Sequence, residues 1–265
     1  MQSMKLSKPI SASLVAVLAL CHFSMAQAQE RTLITLFGDS ITYGYSSFGS
    51  NRGNGATDVG APDRDLNQLL NGSGRPSTVA NWGIGGSPTG PSGDPGLVAD
   101  SNGLDRVSSN LATTLSLYPN HASRRFNVIM YGFNDRSWGI PSSTTGFNIE
   151  QIALRSISRG FVPIIGTIAP CKCSNTSLPT QNSAITSRYN AMRNQGREVY
   201  LVDQYNLLRG DIDNLLIGDG IHPNADGYQR IAQNWFNYAL KDLIEANTSI
   251  SAIVNFILED DPPPP

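Results

Sequence analysis

Short apolar runs alternate with longer amphipathic stretches along most of this chain. The runs at 32–37, 78–82, 127–131, 162–168 and 199–202 are β-branched or otherwise apolar through most of their length, as strands covered on both faces are. Between them the pattern predicts helices over 62–70, 103–117, 147–159 and 185–195. A last helix spans 225–245, where Ile231, Trp235, Tyr238 and Ala239 form an apolar stripe. Strands separated by helical crossovers of this length predict a parallel sheet. Five of them suit a doubly wound α/β fold, a three-layer α/β/α sandwich. Such sheets gather their ligands at the carboxyl ends of the strands, so residues that directly follow a strand carry most interest.

Two long segments, 43–60 and 85–102, break the alternation. Both are rich in Gly, Ser, Asn and Pro and begin near the end of a strand. Long loops in a domain of this size are functional or disordered, and substrate contact is the preferred reading. The chain's first residues follow another logic. Lys5 and Lys8 precede an apolar stretch over 10–20, and Ala26-Gln27-Ala28 offers a small-x-small cleavage site. The apolar stretch falls short of the roughly 20 residues that span a bilayer. Residues 1–28 are therefore expected to be a cleaved signal peptide, with export to the periplasm or the medium and no stable membrane insertion. Leu20 before Cys21 fits a lipidated cysteine poorly. The main domain is assigned to 29–248, and 249–265 to a C-terminal extension ending in a disordered proline-rich tail.

Composition adds a few exclusions. With 265 residues, 40% of them hydrophobic and 15% charged, the chain can bury one sizeable core. The formal net charge is -2, which gives no electrostatic case for nucleic acid or an anionic membrane as partner. Loss of 1–28 removes two lysines and no acid, leaving 17 basic against 21 acidic residues, and only His121 and His222 as imidazoles. Two cysteines, Cys171 and Cys173, would remain. Too few for a disulfide scaffold, they could be two free thiols or one labile bridge. With no further Cys or His nearby, a metal site is not expected.

Four groups of residues then stand out. Gly38-Asp39-Ser40 ends the first apolar run. A serine hydroxyl needs a base to become a nucleophile, and a turn after a buried strand would expose it at the sheet's rim. Alone, such a tripeptide reads more readily as an ordinary turn. Asp219-Gly220-Ile221-His222-Pro223 precedes the last helix. A carboxylate three residues before a histidine can hold one ring nitrogen and leave the other for the serine proton. Equally, this is a turn into a helix capped by Asn224 or Asp226. His121 lies in a polar turn after a helix with no strand end before it, and is the weaker candidate. Asn81-Trp82-Gly83-Ile84-Gly85-Gly86 closes the second run, and Gly132-Phe133-Asn134-Asp135 follows the third. Glycine N–H groups and the Asn134 amide are donors of the kind that acyl transfer requires at a developing oxyanion.

In chain order these are nucleophile, donor, donor and acid–base pair. In that respect the sequence resembles the SGNH (GDSL-type) hydrolase superfamily, whose four blocks centre on Ser, Gly, Asn and His. Ser40, Gly86, Asn134 and the Asp219/His222 pair match them, over about residues 32–240. Gly83 and Gly85 remain alternatives to Gly86. The resemblance implies a flavodoxin-like parallel sheet, no metal and no organic cofactor. It further implies a catalytic triad of Ser40, Asp219 and His222, with an oxyanion hole of Ser40 N–H, Gly86 N–H and the Asn134 side chain. Phe133 departs from the small or polar residue many members carry there. Asp39, Phe133 and Trp138 are candidate substrate contacts, and Trp138 could equally be a packed surface residue.

The expected activity is that of a secreted serine esterase acting on a small-molecule or polysaccharide ester. The polar character of 43–60 and 85–102 favours short acyl groups, such as acetyl, on a carbohydrate. A lysophospholipase- or thioesterase-like activity and a non-catalytic carbohydrate-binding protein on the same fold are the alternatives, since fold alone does not fix substrate.

Overall fold

All five apolar runs join one sheet. The computed structural model describes residues 31–45, 62–91, 102–119, 124–173 and 177–244. Its strands are β1 (Thr32–Gly38), β2 (Ser77–Asn81), β3 (Arg125–Met130), β4 (Val162–Gly166) and β5 (Tyr200–Val202). They lie in the order β2-β1-β3-β4-β5, and every neighbouring pair is parallel. The chain builds outward from β1 to β2 on one side, then returns to build β3, β4 and β5 on the other. Strand order thus reverses between β1 and β3, which is where such folds open a crevice.

Helices cover both faces: α1 (Ser40–Tyr43), α2 (Pro62–Gly72), α3 (Gly103–Leu117), α4 (Ser142–Ser158), α5 (Leu178–Asn194), α6 (Gln204–Leu208), α7 (Ile212–Leu215) and α8 (Ala225–Trp235). A π-helical turn, Phe236–Leu240, prolongs α8 into α9 (Lys241–Leu243). The period-two alternation of β1 divides its side chains between two cores. Ile34 and Leu36 pack with Leu66 and Leu70 of α2 and with Ile231 and Trp235 of α8. Leu33 and Phe37 pack with Val107 and Leu111 of α3 and with Ile149 and Ile152 of α4. Two polar residues also lie on that second face. The buried Thr35 hydroxyl donates to Asn127 Oδ1 at 2.6 Å, and Asn127 Nδ2 donates to Ser156 Oγ at 2.8 Å. This relay satisfies groups that would otherwise be costly to bury.

The parallel three-layer arrangement agrees with the sequence reading, and the differences lie at the element ends. Helix α4 starts five residues before 147 and α5 seven before 185. Their first turns are rich in Ser, Thr, Gln and Asn, so hydrophobic periodicity is silent there. The helix expected over 225–245 is interrupted by the π turn, and the short helices between 204 and 215 were not anticipated. The expected signal peptide at 1–28, the extension at 249–265, His121 and most of loops 43–60 and 85–102 lie outside the described residues. Among the described residues, no helix is long and apolar enough to cross a membrane.

Candidate active site

The fully buried strand β1 delivers Ser40 to the rim of the sheet. At Gly38 any Cβ would overlap Thr42 Oγ1 and the Met130 carbonyl, so only glycine lets the chain turn here. The Asp39 carboxylate caps α1 by accepting the Ile41 N–H at 3.0 Å. Thr42 Oγ1 donates to the Met130 carbonyl on the adjoining strand at 3.2 Å. After Gly44, the Tyr45 N–H returns to the Ser40 carbonyl at 3.1 Å. The nucleophile candidate is thus gripped on both sides.

The acid–base pair sits on a loop closed on itself. Ile217 N–H donates to the His222 carbonyl at 2.9 Å, and Asn224 N–H to the Leu215 carbonyl at 2.9 Å. Asn224 then caps α8 through the Gly227 N–H at 2.9 Å, so the last helix sets where the histidine stands. Within the turn, Asp219 Oδ1 accepts the Ile221 and His222 N–H groups at 2.8 and 2.9 Å. Asp219 Oδ2 lies 2.7 Å from His222 Nδ1, and His222 Nε2 lies 2.9 Å from Ser40 Oγ. Residues 182 positions apart in sequence therefore form one continuous hydrogen-bonded chain. Desolvation pushes the Asp219 carboxyl upward, but the bonds from the His222 ring, His222 N–H and Ile221 N–H together outweigh it. They hold it below the usual carboxylate range. The group is thereby kept ionised, as an orienting acid must be.

A second support reaches this loop from the end of β4. The Lys172 N–H donates to the Gly220 carbonyl at 2.8 Å, between Asp219 and His222. Lys172 is the residue enclosed by the Cys171–Cys173 disulfide, so of the two states left open for these cysteines the structure has the bridge.

The candidate donors follow β2 and β3 in the chain. Asn81 ties its loop to the nucleophile turn, donating to the Thr42 carbonyl at 2.7 Å and accepting the Gly83 N–H at 2.8 Å. Gly85 is the glycine beside the serine: a Cβ there would stand 4.0 Å from Ser40 Cβ, whereas one on Gly86 would meet nothing within 4 Å. The carbonyl of Gly86, the expected donor, accepts the Trp138 indole N–H at 3.0 Å. Asn134 Nδ2 donates to the Ser87 carbonyl at 3.2 Å. An amide nitrogen carries two hydrogens, so this bond aims the side chain while using one of them.

Of the three expected substrate contacts, Asp39 is buried, at 2% exposure, and its carboxylate serves backbone N–H groups of Ile41 and Phe133. The same loss of water that hides it raises its pKa to about 7, with the neighbouring Asp135 charge adding to the rise. Phe133 is half-buried and packs against both cores. Trp138 is likewise half-buried, with its indole N–H on the Gly86 carbonyl. Asp135 is itself buried and takes the Thr89 N–H at 2.8 Å with the Thr89 and Thr145 hydroxyls at 2.6 Å each. Burial raises its pKa against those three bonds. Among the described residues, no group of three or more His, Cys, Asp or Glu could hold a metal ion.

The model of the GDSL-like lipase/acylhydrolase family matches residues 36–230. The chain belongs to that family. Among solved structures, this GDSL-family chain is similar to a lipase/acylhydrolase from Enterococcus faecalis. The TM-score is 0.62 at 20% identity, covering 83% of this chain and 100% of that one. A carbohydrate acetylesterase family member from Sinorhizobium meliloti gives a TM-score of 0.57 at 20% identity over 77% and 95% of the two chains. A family 3 carbohydrate esterase from Clostridium thermocellum gives 0.53 at 19% identity over 80% and 98%. Such identities establish the SGNH hydrolase fold alone. Comparison with curated proteins returns no match.

Sequence reasoning missed several residues of this GDSL-family site. Tyr45 falls in the polar segment 43–60 with nothing local to single it out, and its ring centroid lies 4.5 Å from that of His222. Asn81 carried a signal, a lone amide at a strand end before a glycine run. The couplings of Ser87 to Asn134 and of Lys172 to Gly220 carried none, because each joins segments distant in sequence.

Proposed function

We propose that this GDSL-family chain is an exported serine esterase that hydrolyses carboxylic esters of short acyl groups, acetyl among them, carried on a carbohydrate. The observation that carries the catalytic part is the chain from Asp219 through His222 to Ser40, with separations of 2.7 and 2.9 Å. His222 Nε2 takes the Ser40 proton as Oγ attacks the ester carbonyl. Asp219 keeps the other ring nitrogen protonated and balances the imidazolium that forms. The Ser40 N–H, the Gly85–Gly86 turn and Asn134 supply donors for the oxyanion. Collapse of the tetrahedral intermediate breaks the bond to the alcohol oxygen, which leaves with the proton from His222. Water then repeats the sequence on the acyl-enzyme and releases the acid.

The polar composition of segments 43–60 and 85–102, together with carbohydrate esterases among the structural neighbours, supports the carbohydrate half of the reading. The signal-peptide pattern of 1–28 supports export. Two measurements test it. A fluorophosphonate probe should label Ser40 in the wild type and not in Ser40→Ala. An ester panel should give the highest kcat/KM for acetyl to butyryl groups. Absence of labelling in folded protein refutes the enzyme reading. A preference for acyl chains of about ten carbons or more, where each buried CH2 contributes about 0.8 kcal/mol, refutes the short-chain one.

A further inference from the structure

The described residues expose five large hydrophobic side chains, and three of them, Leu117, Phe147 and Tyr238, belong to helices. Ile84 and Tyr45 are the other two. Ile84 stands on the glycine loop, its N–H bonded to the Gly38 carbonyl at 3.0 Å. Tyr45 stands against the catalytic histidine candidate.

Tyr45 is held by its backbone rather than by packing of its ring. Its N–H donates to the Ser40 carbonyl at 3.1 Å, and its carbonyl accepts the hydroxyl of the buried Tyr228 at 2.6 Å. The residue stays 39% exposed, with its ring centroid 4.5 Å from that of the imidazole at an interplanar angle of 45°. An anchored main chain beneath an open aromatic surface is a contact face made ready before any ligand arrives, and preorganisation of that kind favours binding.

Chemistry decides which half of an ester would meet this face. His222 Nε2 must return the proton to the departing oxygen, so that oxygen has to come within roughly 3 Å of it. Whatever carries the oxygen then passes close to the imidazole, whose centroid lies 4.5 Å from that of the Tyr45 ring. On the esterase reading, the acyl carbon and its oxyanion belong instead with the candidate donors, the Gly85–Gly86 turn and Asn134. We infer that Tyr45 is the platform for the alcohol half of the substrate, and that it selects an alcohol with a ring face, such as a pyranose, over a flexible alkyl alcohol. The inference rests on the esterase reading above and deepens it. An aromatic ring gives a pyranose a flat surface for its C–H groups, and the rigid ring loses little freedom in making that contact.

The test compares two acetyl esters, an acetylated methyl pyranoside and ethyl acetate, with wild type, Tyr45→Phe and Tyr45→Ala. Both substrates give the same acetyl-enzyme, so any difference between them arises before deacylation. The ratio of kcat/KM for the pyranoside ester to that for ethyl acetate should fall about tenfold in Tyr45→Ala, the scale of one aromatic contact. Tyr45→Phe should keep the wild-type ratio within about twofold, because it retains the ring. Equal losses on both substrates would make Tyr45 a residue that merely positions His222, and would overturn the assignment, as would an unchanged ratio. Fluorophosphonate labelling of Ser40 is measured in parallel. Its absence from wild type sinks the esterase reading and this inference with it, whereas normal labelling with an unchanged ratio sinks this inference alone.

Discussion

Asp39→Asn tests whether the residue next to the nucleophile carries a buried charge that the fold resists. The Asp39 carboxyl is 2% exposed, and burial raises its pKa from 3.8 to about 7. Ionising it in the folded chain therefore costs about 4 kcal/mol more than in the unfolded chain. The sign follows from proton uptake. Between those two values the folded chain holds a proton that the unfolded chain has lost, so stability falls as pH rises through that window. Other ionisable groups near Asp39, namely Asp135, Tyr131 and Arg106, are common to both proteins and largely cancel in the comparison. Asparagine removes the titration but loses an acceptor. Both Ile41 and Phe133 donate N–H groups to the carboxyl, and an amide nitrogen would face one of them at about 1–3 kcal/mol. Urea unfolding from pH 4 to 8 should thus give two curves that converge or cross. Wild type is the more stable at the acid end and loses up to about 4 kcal/mol more than the variant by pH 8. Curves that stay parallel within about 1 kcal/mol would refute the buried-charge account.

Three further outcomes follow from the site. Ser40→Ala and His222→Ala should each lower kcat by about 10⁴-fold or more, and the double variant should be little worse, because the two act as a unit; additive losses in steady-state kinetics would argue against a relay. Asn134→Ala should lower kcat by roughly 10²–10³ with KM nearly unchanged, and a loss confined to KM would assign the amide to ground-state binding. Reducing Cys171–Cys173 should loosen the segment whose Lys172 N–H holds Gly220 and lower kcat about fivefold, the scale of one net hydrogen bond. Unchanged kcat with two titratable thiols would show that the support is dispensable.

Much of the architecture was already legible in the chain. Apolar runs such as 32–37 and 127–131 can only be strands covered on both faces, and the helical crossovers between them force parallel pairing. The blocks around Ser40, Asn134 and Asp219/His222 were legible too, because each couples a reactive side chain to the local turn that presents it. Local pattern could not reach further. The starts of α4 and α5 were missed because their first turns bear no apolar stripe, and the π turn at Phe236 interrupts a helix whose periodicity runs straight through it. Asp39 lies beside Ser40 in sequence, and only the packing of β1 against β3 reveals that it is buried. Tyr45 meets His222, and Lys172 meets Gly220, because strand order brings distant loops to one edge of the sheet. Spacing along a chain determines which residues share an element. Contacts between elements depend on how the whole sheet and its covering helices close around their cores, and that is decided only in three dimensions.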